Sequence, residues 1–102
     1  MKKKRGTRKE YFEGKLIFDG EYSNRKRKGK GKEFDYYTGK IIFEGEFKNG
    51  IKWNGKGYNE NNEIEYEIKD GYGNIKEYIN GRLLYEGEYK NGKRNGKGKE
   101  YN

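Results

Sequence analysis

Aromatic and charged residues alternate along several short stretches of this chain. The clearest stretches are residues 18–22, 43–47 and 85–89, and each reads aromatic, acidic, glycine, glutamate, aromatic. A period of two places successive side chains on opposite faces of a strand and excludes an amphipathic helix. The pattern therefore predicts strands whose aromatic residues and glycines share one face and whose charged residues share the other.

These stretches belong to a longer repeat. Copies begin at residues 18, 43, 64 and 85, and the third is degenerate because Tyr66 replaces the glycine. A Gly-x-Gly triplet follows each copy, and Asn-Gly or Asp-Gly dipeptides at 49–50, 70–71, 80–81 and 91–92 suit type I′ hairpin turns. We predict an all-β fold, an elongated single-layer antiparallel β-meander of about four hairpin repeats and roughly eight strands. We expect a basic tail at residues 1–10, a repeat domain at residues 11–102, and an irregular sheet near residues 58–73.

One detail of the alternation leaves two alternatives open. Counting from Gly98 places Glu100 on the glycine face and Tyr101 on the opposite face, and Phe34 behaves in the same way after Gly31. Either a β-bulge after each Gly-Lys-Gly triplet redirects these aromatic residues, or both faces of the sheet carry rings.

Charge is distributed unevenly along the chain. The formal net charge is +8, yet residues 1–32 carry 13 Lys and Arg against four Asp and Glu. The basic candidates for binding an anion are Lys2, Lys3, Lys4, Arg5, Arg25, Lys26, Arg27, Lys28, Lys30 and Lys32. They could contact anionic lipid headgroups or the phosphates of a nucleic acid. The alternative is a solvated lysine-rich turn that maintains solubility.

The aromatic face is the second candidate surface. No second layer covers a single-layer sheet, and a large exposed apolar patch usually marks an interface. The candidate interface residues are Phe43, Phe47, Trp53, Tyr85 and Tyr89. The same rings could instead pack on one another and on the glycine backbone, so we expect a core first and an interface second.

The sequence offers few residues that are suited to catalysis. The chain has no His and no Cys, which removes the usual nucleophile–base pairs and any disulfide. Glu44 with Glu46 and Glu86 with Glu88 suit a solvated strand face better than acid–base catalysis. We therefore predict no catalytic residue, no cofactor and no metal site. No export signal or apolar span is visible, so a cytoplasmic location is expected, with peripheral membrane contact as an option.

The segment at residues 85–98 resembles the MORN repeat, whose pattern is aromatic-x-Gly-x-aromatic, then x-Asn-Gly, then Gly-x-Gly. Residues 43–57 match nearly as well, and residues 18–31 match except that Arg25 replaces the turn glycine. The resemblance implies a non-catalytic interaction module: a protein scaffold or tether that associates with a protein partner or with itself. Peripheral binding to anionic phospholipid membranes is the alternative function. Nonspecific nucleic-acid binding, or a role as antidote to a toxin, ranks third.

Overall fold

The computed structural model describes residues 5–79 and 82–101, and these residues form strands joined by turns and short loops. The strands are β1 (Arg5–Phe12), β2 (Lys15–Ser23), β3 (Lys26–Phe34), β4 (Ile41–Lys48), β5 (Ile51–Tyr58), β6 (Ile64–Ile68), β7 (Gly73–Ile79), β8 (Arg82–Lys90) and β9 (Lys93–Glu100). Except for β6 and β7, neighbours in sequence pair antiparallel, which confirms the predicted all-β meander of hairpins.

The meander divides into two sheets, β1 to β6 and β7 to β9. The break falls between β6 and β7, where only Lys69 and Tyr72 form an isolated bridge. The irregularity expected near residues 58–73 is therefore present, and it falls within the third copy of the repeat, between β6 and β7.

Strand β1 begins at Arg5, inside the segment that the sequence suggested as a tail. Residues 5–10 thus belong to the sheet, and the described residues form nine strands where roughly eight were expected. The sequence of β1 hides this role because its first five residues are Gly, Thr or charged. Its pairing with β2, from Arg5 opposite Ser23 to Phe12 opposite Lys15, makes it a strand although the alternation is absent. Lys2, Lys3 and Lys4 lie outside the described residues.

The strands run between two different ends of the molecule. We call one the turn end; it consists of the tight turns at residues 24–25, 49–50, 70–71 and 91–92. Both residues of each turn have positive φ, for example 50° at Asn49 and 83° at Gly50, as type I′ turns require. We call the other the loop end; it includes the turn at 13–14 and the connections at 35–40 and 59–63. The predicted turn at 80–81 lies outside the described residues.

The pairing register and a hydrogen bond of Tyr101 address the alternative left open by the alternation. The pairing register shifts between Glu33 and Phe34 and again between Gly57 and Tyr58. Glu33 lies on the aromatic face, opposite Phe18 and Phe43, and the residue that the first shift leaves unpaired is Ile42 of β4. Glu100 lies opposite Tyr85 with no shift beside it, and the Tyr101 hydroxyl donates to Glu86 on the charged face, so both faces of the sheet carry rings.

The core lies on the aromatic face. Phe18 and Phe43 are fully buried, and the core cluster also contains Phe47, Tyr66, Ile68 and Ile75. Ile75 belongs to the second sheet, and Tyr89 from that sheet packs against the cluster. The two sheets therefore share one core.

Candidate functional site

The rings of the aromatic face lie over glycine backbone. A Cβ on Gly31 would stand 2.7 Å from two ring atoms of Phe18, which is closer than packed atoms approach. Phe18 and Phe47 meet edge to face with their centroids 5.3 Å apart, and Phe43 and Phe47 do so at 5.5 Å. Glycine thus makes room for rings on both the same and the neighbouring strand.

Charged side chains cross this aromatic row. The Arg27 Nε donates to Glu10 Oε2 at 2.8 Å, and its Nη1 donates to Glu33 Oε2 at 2.7 Å. The guanidinium also stands 4.0 Å from the centroid of the Phe18 ring. One arginine therefore joins a carboxylate of β1 to a carboxylate of its own strand β3 while covering an aromatic ring.

The next repeat continues this arrangement with a lysine. Lys52 Nζ lies 3.1 Å from Glu33 Oε1 and 5.0 Å from the centroid of the Phe43 ring. Its ammonium also contacts the Tyr66 hydroxyl at 3.4 Å. We call the series Glu10, Arg27, Glu33, Lys52, together with the equivalent Glu77, Arg94 and Glu100 of the second sheet, the charged ladder.

The second sheet repeats the same unit. Arg94 joins Glu77, at 2.9 Å from its Nε, to Glu100, at 2.7 Å from its Nη1, and stands 4.4 Å from the centroid of the Tyr85 ring. Tyr89 donates its hydroxyl proton to Glu77, as Tyr22 does to Glu10. The first and last repeats therefore place the same residue types in the same roles.

Electrostatics within the ladder stabilise the ionised carboxylates. The hydrogen bond from Arg27 holds the pKa of Glu10 below its ordinary value of 4.5, although burial acts in the opposite direction. Burial would likewise raise the pKa of Glu77, but hydrogen bonds from Arg94 and Tyr89, together with the charge of Lys52, leave it lowered. Burial and the bonds to these glutamates raise the pKa of the Tyr22 and Tyr89 hydroxyls.

The ladder glutamates were not among the residues singled out from the sequence. The available signal was the placement of Glu100 on the glycine face, because a carboxylate on a buried face needs a cation nearby. The partners were harder to find, since Arg27 lies within a run of basic residues that reads as one patch.

The structure places the members of this basic run in different surroundings. Arg27 lies in the charged ladder, and its side chain is only 20% exposed. Lys30 and Lys32 pair in register with Glu46 and Glu44 on the opposite face, with 3.8 Å between the Lys32 ammonium and Glu44. The remaining members, Arg25, Lys26 and Lys28, are exposed at or beside the first tight turn. Arg5 begins β1.

The candidate interface rings lie mostly inside the molecule. Phe43, Phe47 and Tyr85 are at most 4% exposed, so the core role holds for these three. Tyr89 and Trp53 are half-buried. The Lys48 ammonium covers Trp53 at 4.5 Å from the ring centroid.

Exposed apolar side chains collect instead at the loop end. Tyr11, Phe12, Tyr37, Ile64, Tyr78 and Tyr101 are each between 38% and 60% exposed. All six lie within three residues of a strand terminus at this end. We call them the exposed apolar set. Tyr72, which is 50% exposed, lies at the turn end.

The turn end carries positive charge. The residues in and flanking the four tight turns include six cations, Arg25, Lys26, Lys48, Lys69, Lys90 and Lys93, which we call the basic row, and one carboxylate, Asp70. Backbone hydrogen bonds hold successive turns together, since Gly50 N donates to Arg27 O, Gly71 N to Trp53 O and Gly92 N to Gly71 O, each at 2.9 Å. The cations of separate repeats thus line one edge.

The acidic side chains of the described residues are dispersed. Within residues 5–79 and 82–101, no three acidic side chains gather as a metal site would require. The same part of the chain contains no helix that is long and apolar enough to cross a membrane.

A comparison with protein families confirms the resemblance of the repeat. The MORN-repeat model matches residues 18–35, 43–57 and 85–101. The chain carries MORN repeats. The matched segments begin at the buried rings of Phe18, Phe43 and Tyr85, so the repeat pattern and the ring row coincide. MORN repeats are typically non-catalytic and often serve as binding modules. No curated protein and no solved structure matches the chain.

Proposed function

We propose that this chain is a non-catalytic MORN-repeat module that binds a protein partner through the exposed apolar set at its loop end. The observation that carries the proposal is the concentration of exposed aromatic residues there, while Phe18, Phe43, Phe47 and Tyr85 of the repeat pattern are buried. Aromatic residues are enriched at protein interfaces.

The chemistry of the chain supports a binding role over catalysis. The sequence has no His or Cys. Of its three alcohols, Ser23 is buried beside the first tight turn and Thr38 Oγ1 accepts a hydrogen bond from Lys40 N. Neither arrangement resembles a nucleophile activated by a base.

Matched tyrosine variants test the proposal. Tyr37 and Tyr72 are 59% and 50% exposed but lie at opposite ends of the strands. Partners would be captured with the wild-type chain, identified and purified, and their affinity then measured for Tyr37→Ser and Tyr72→Ser. Loss of a central interface aromatic typically costs about 2 kcal/mol or more, so Tyr37→Ser should bind at least roughly tenfold more weakly. Tyr72→Ser should bind normally, and a partner that is indifferent to Tyr37 and the other exposed loop-end residues would overturn the proposal.

The basic row supports a second candidate, peripheral binding to anionic membranes in the cytoplasm. Each Lys or Arg near an anionic surface contributes roughly 1 kcal/mol, and the row presents its cations along one edge. The test is co-sedimentation with vesicles containing phosphatidylserine. The triple variant Lys48→Glu, Lys69→Glu, Lys90→Glu should lose binding.

Lys32, Lys56 and Lys97, which lie outside the basic row, provide the matched control. Their triple reversal to Glu changes the net charge equally but leaves the row intact, so vesicle binding should persist. Equal loss in both triple variants would mean that net charge alone governs the interaction. Salt-sensitive binding of random-sequence RNA without vesicle binding would point to nucleic acid instead.

A further inference from the structure

The first tight turn differs from the other three at one residue. Arg25 has a φ of 67°, whereas the equivalent positions are Gly50, Gly71 and Gly92, with φ between 77° and 83°. A left-handed backbone costs a residue with a side chain roughly 1–2 kcal/mol that glycine avoids. Arg25 is exposed, and among the described residues it has no hydrogen-bond or ion-pair partner. Strain that no internal contact offsets suggests a role for this side chain outside the molecule.

The loop end contains a cleft of complementary chemistry. A cavity of about 360 Å³ opens between the connections at 35–40 and 59–63, and the rings of Tyr37, Tyr58 and Tyr78 line it. Its lining also includes three acidic residues and one basic residue: Asp35, Glu60, Glu65 and Lys40. The cleft is therefore negative in a chain whose net charge is +8.

The cations near the cleft leave its charge only partly balanced. The Lys40 ammonium donates to the backbone carbonyl of Glu60 at 2.8 Å, and the Lys76 ammonium is 3.9 Å from Glu65. No hydrogen bond or ion pair engages the Glu60 carboxylate within residues 5–79 and 82–101. A pocket that combines tyrosine rings with carboxylates favours a cation. The same end already shows this chemistry, since Lys15 Nζ stands 4.5 Å from the centroid of the Tyr36 ring.

We propose that Arg25 of one copy enters the Tyr37–Tyr58–Tyr78 cleft of a second copy. This inference deepens the proposed function by naming a second copy of the chain as a partner. Strand β2 runs from the loop end to the turn end, so the arginine and the cleft lie at opposite ends of one molecule. Such a contact is heterologous, and it leaves a free cleft and a free arginine at the two ends of every dimer.

Sedimentation velocity tests the contact, because a contact of this size is weak and requires concentrations up to roughly 1 mM. Ionic strength near 0.15 M limits the long-range repulsion between copies to a Debye length of about 8 Å. The wild-type chain should form dimers and longer species as concentration rises. Arg25→Gly and the double variant Tyr37→Ser, Glu60→Gln should remain monomeric, whereas Lys93→Gly should associate like the wild type.

A mixture of the two defective variants provides the sharpest test. Arg25→Gly keeps an intact cleft, and the Tyr37→Ser, Glu60→Gln chain keeps an intact arginine. Mixed in equal amounts, they should form dimers and nothing longer, because only one productive pairing exists. A wild-type chain that stays monomeric, Arg25→Gly that associates like the wild type, or a mixture that stays monomeric would each refute the proposal.

The thermal stability of Arg25→Gly and its binding to other partners are two further measurements. Arg25→Gly should unfold at a higher temperature than the wild type because it removes the left-handed strain, so its failure to associate cannot be attributed to misfolding. The same variant retains the exposed apolar set and should still bind other protein partners. Loss of self-association with retained partner binding therefore separates this inference from the proposed function.

Discussion

Arg27 and its neighbours Lys26 and Lys28 are adjacent in sequence, yet the strand directs them to different surroundings. Lys26 and Lys28 are exposed, whereas Arg27 joins Glu10 and Glu33 across the aromatic row. The ion pairs are partly dehydrated, which makes the loss of one partner costly for those that remain. Arg27 therefore contributes primarily to the stability of the fold and not to a binding surface.

Replacing Arg27 with Gln should lower the free energy of unfolding by about 2 kcal/mol, because two glutamates lose their cation and the Phe18 ring loses its cover. Arg94→Gln removes the same contacts from the second sheet, but the Arg94 side chain is 40% exposed against 20% for Arg27. Its effect should be clearly smaller. Urea denaturation of the two variants checks the order, and equal losses would contradict it.

Gly31 illustrates a second residue-scale requirement, set by the approach of rings to the backbone. Gly31→Ala should destabilise the fold by roughly 1–3 kcal/mol, since the added methyl group would overlap the Phe18 ring. Gly6→Ala is the control, because nothing lies within 4 Å of a Cβ at that position. Thermal unfolding should show a lower midpoint for Gly31→Ala and little change for Gly6→Ala.

At the scale of strands and hairpins, the alternation and the Asn-Gly and Asp-Gly dipeptides predicted the meander and three of the tight turns. Strand β1 and the turn at Asn24 and Arg25 lack those signals, since one has few apolar residues and the other has no glycine. Counting alternate residues along each strand from a glycine places the ladder glutamates on the aromatic face. Their partners depended on strand register, which bulges shift by a residue and which the pattern alone does not determine.

The third repeat has a tyrosine where the others have glycine, and the structure gives it a packing role. Tyr66 is 8% exposed, its ring stacks 6.5 Å from Phe43, and it occupies the space above Gly57. Restoring the repeat pattern with Tyr66→Gly should therefore destabilise the fold, by about 3 kcal/mol or more. Tyr66→Phe keeps the ring and removes only the hydroxyl contact with Lys52, so chemical denaturation should show a much smaller loss.

At the scale of the whole molecule, the two sheets are linked both by the shared core and by charge. Lys52 belongs to the first sheet, yet its charge helps to lower the pKa of Glu77 in the second. The units at Glu10 and Glu77 bracket the chain, so protonation of these two carboxylates should weaken the fold from both ends.

This arrangement fixes the direction of the pH dependence. A carboxylate whose pKa is lower in the folded state than in the unfolded state stabilises the fold above the unfolded value, and that stabilisation disappears as the pH falls through the folded value. For Glu10 and Glu77 the ordinary value is 4.5, so the free energy of unfolding should decline once the pH drops below about 4.5.

The double variant Glu10→Gln, Glu77→Gln should be less stable at neutral pH and show a shallower decline in acid. Glu46→Gln, Glu88→Gln removes the same charge from outside the ladder and should retain the wild-type slope, because the acid sensitivity comes from the bonds to Arg27 and Arg94. Denaturant titrations across the pH range would measure these slopes, and an unchanged slope in the ladder variant would contradict the assignment.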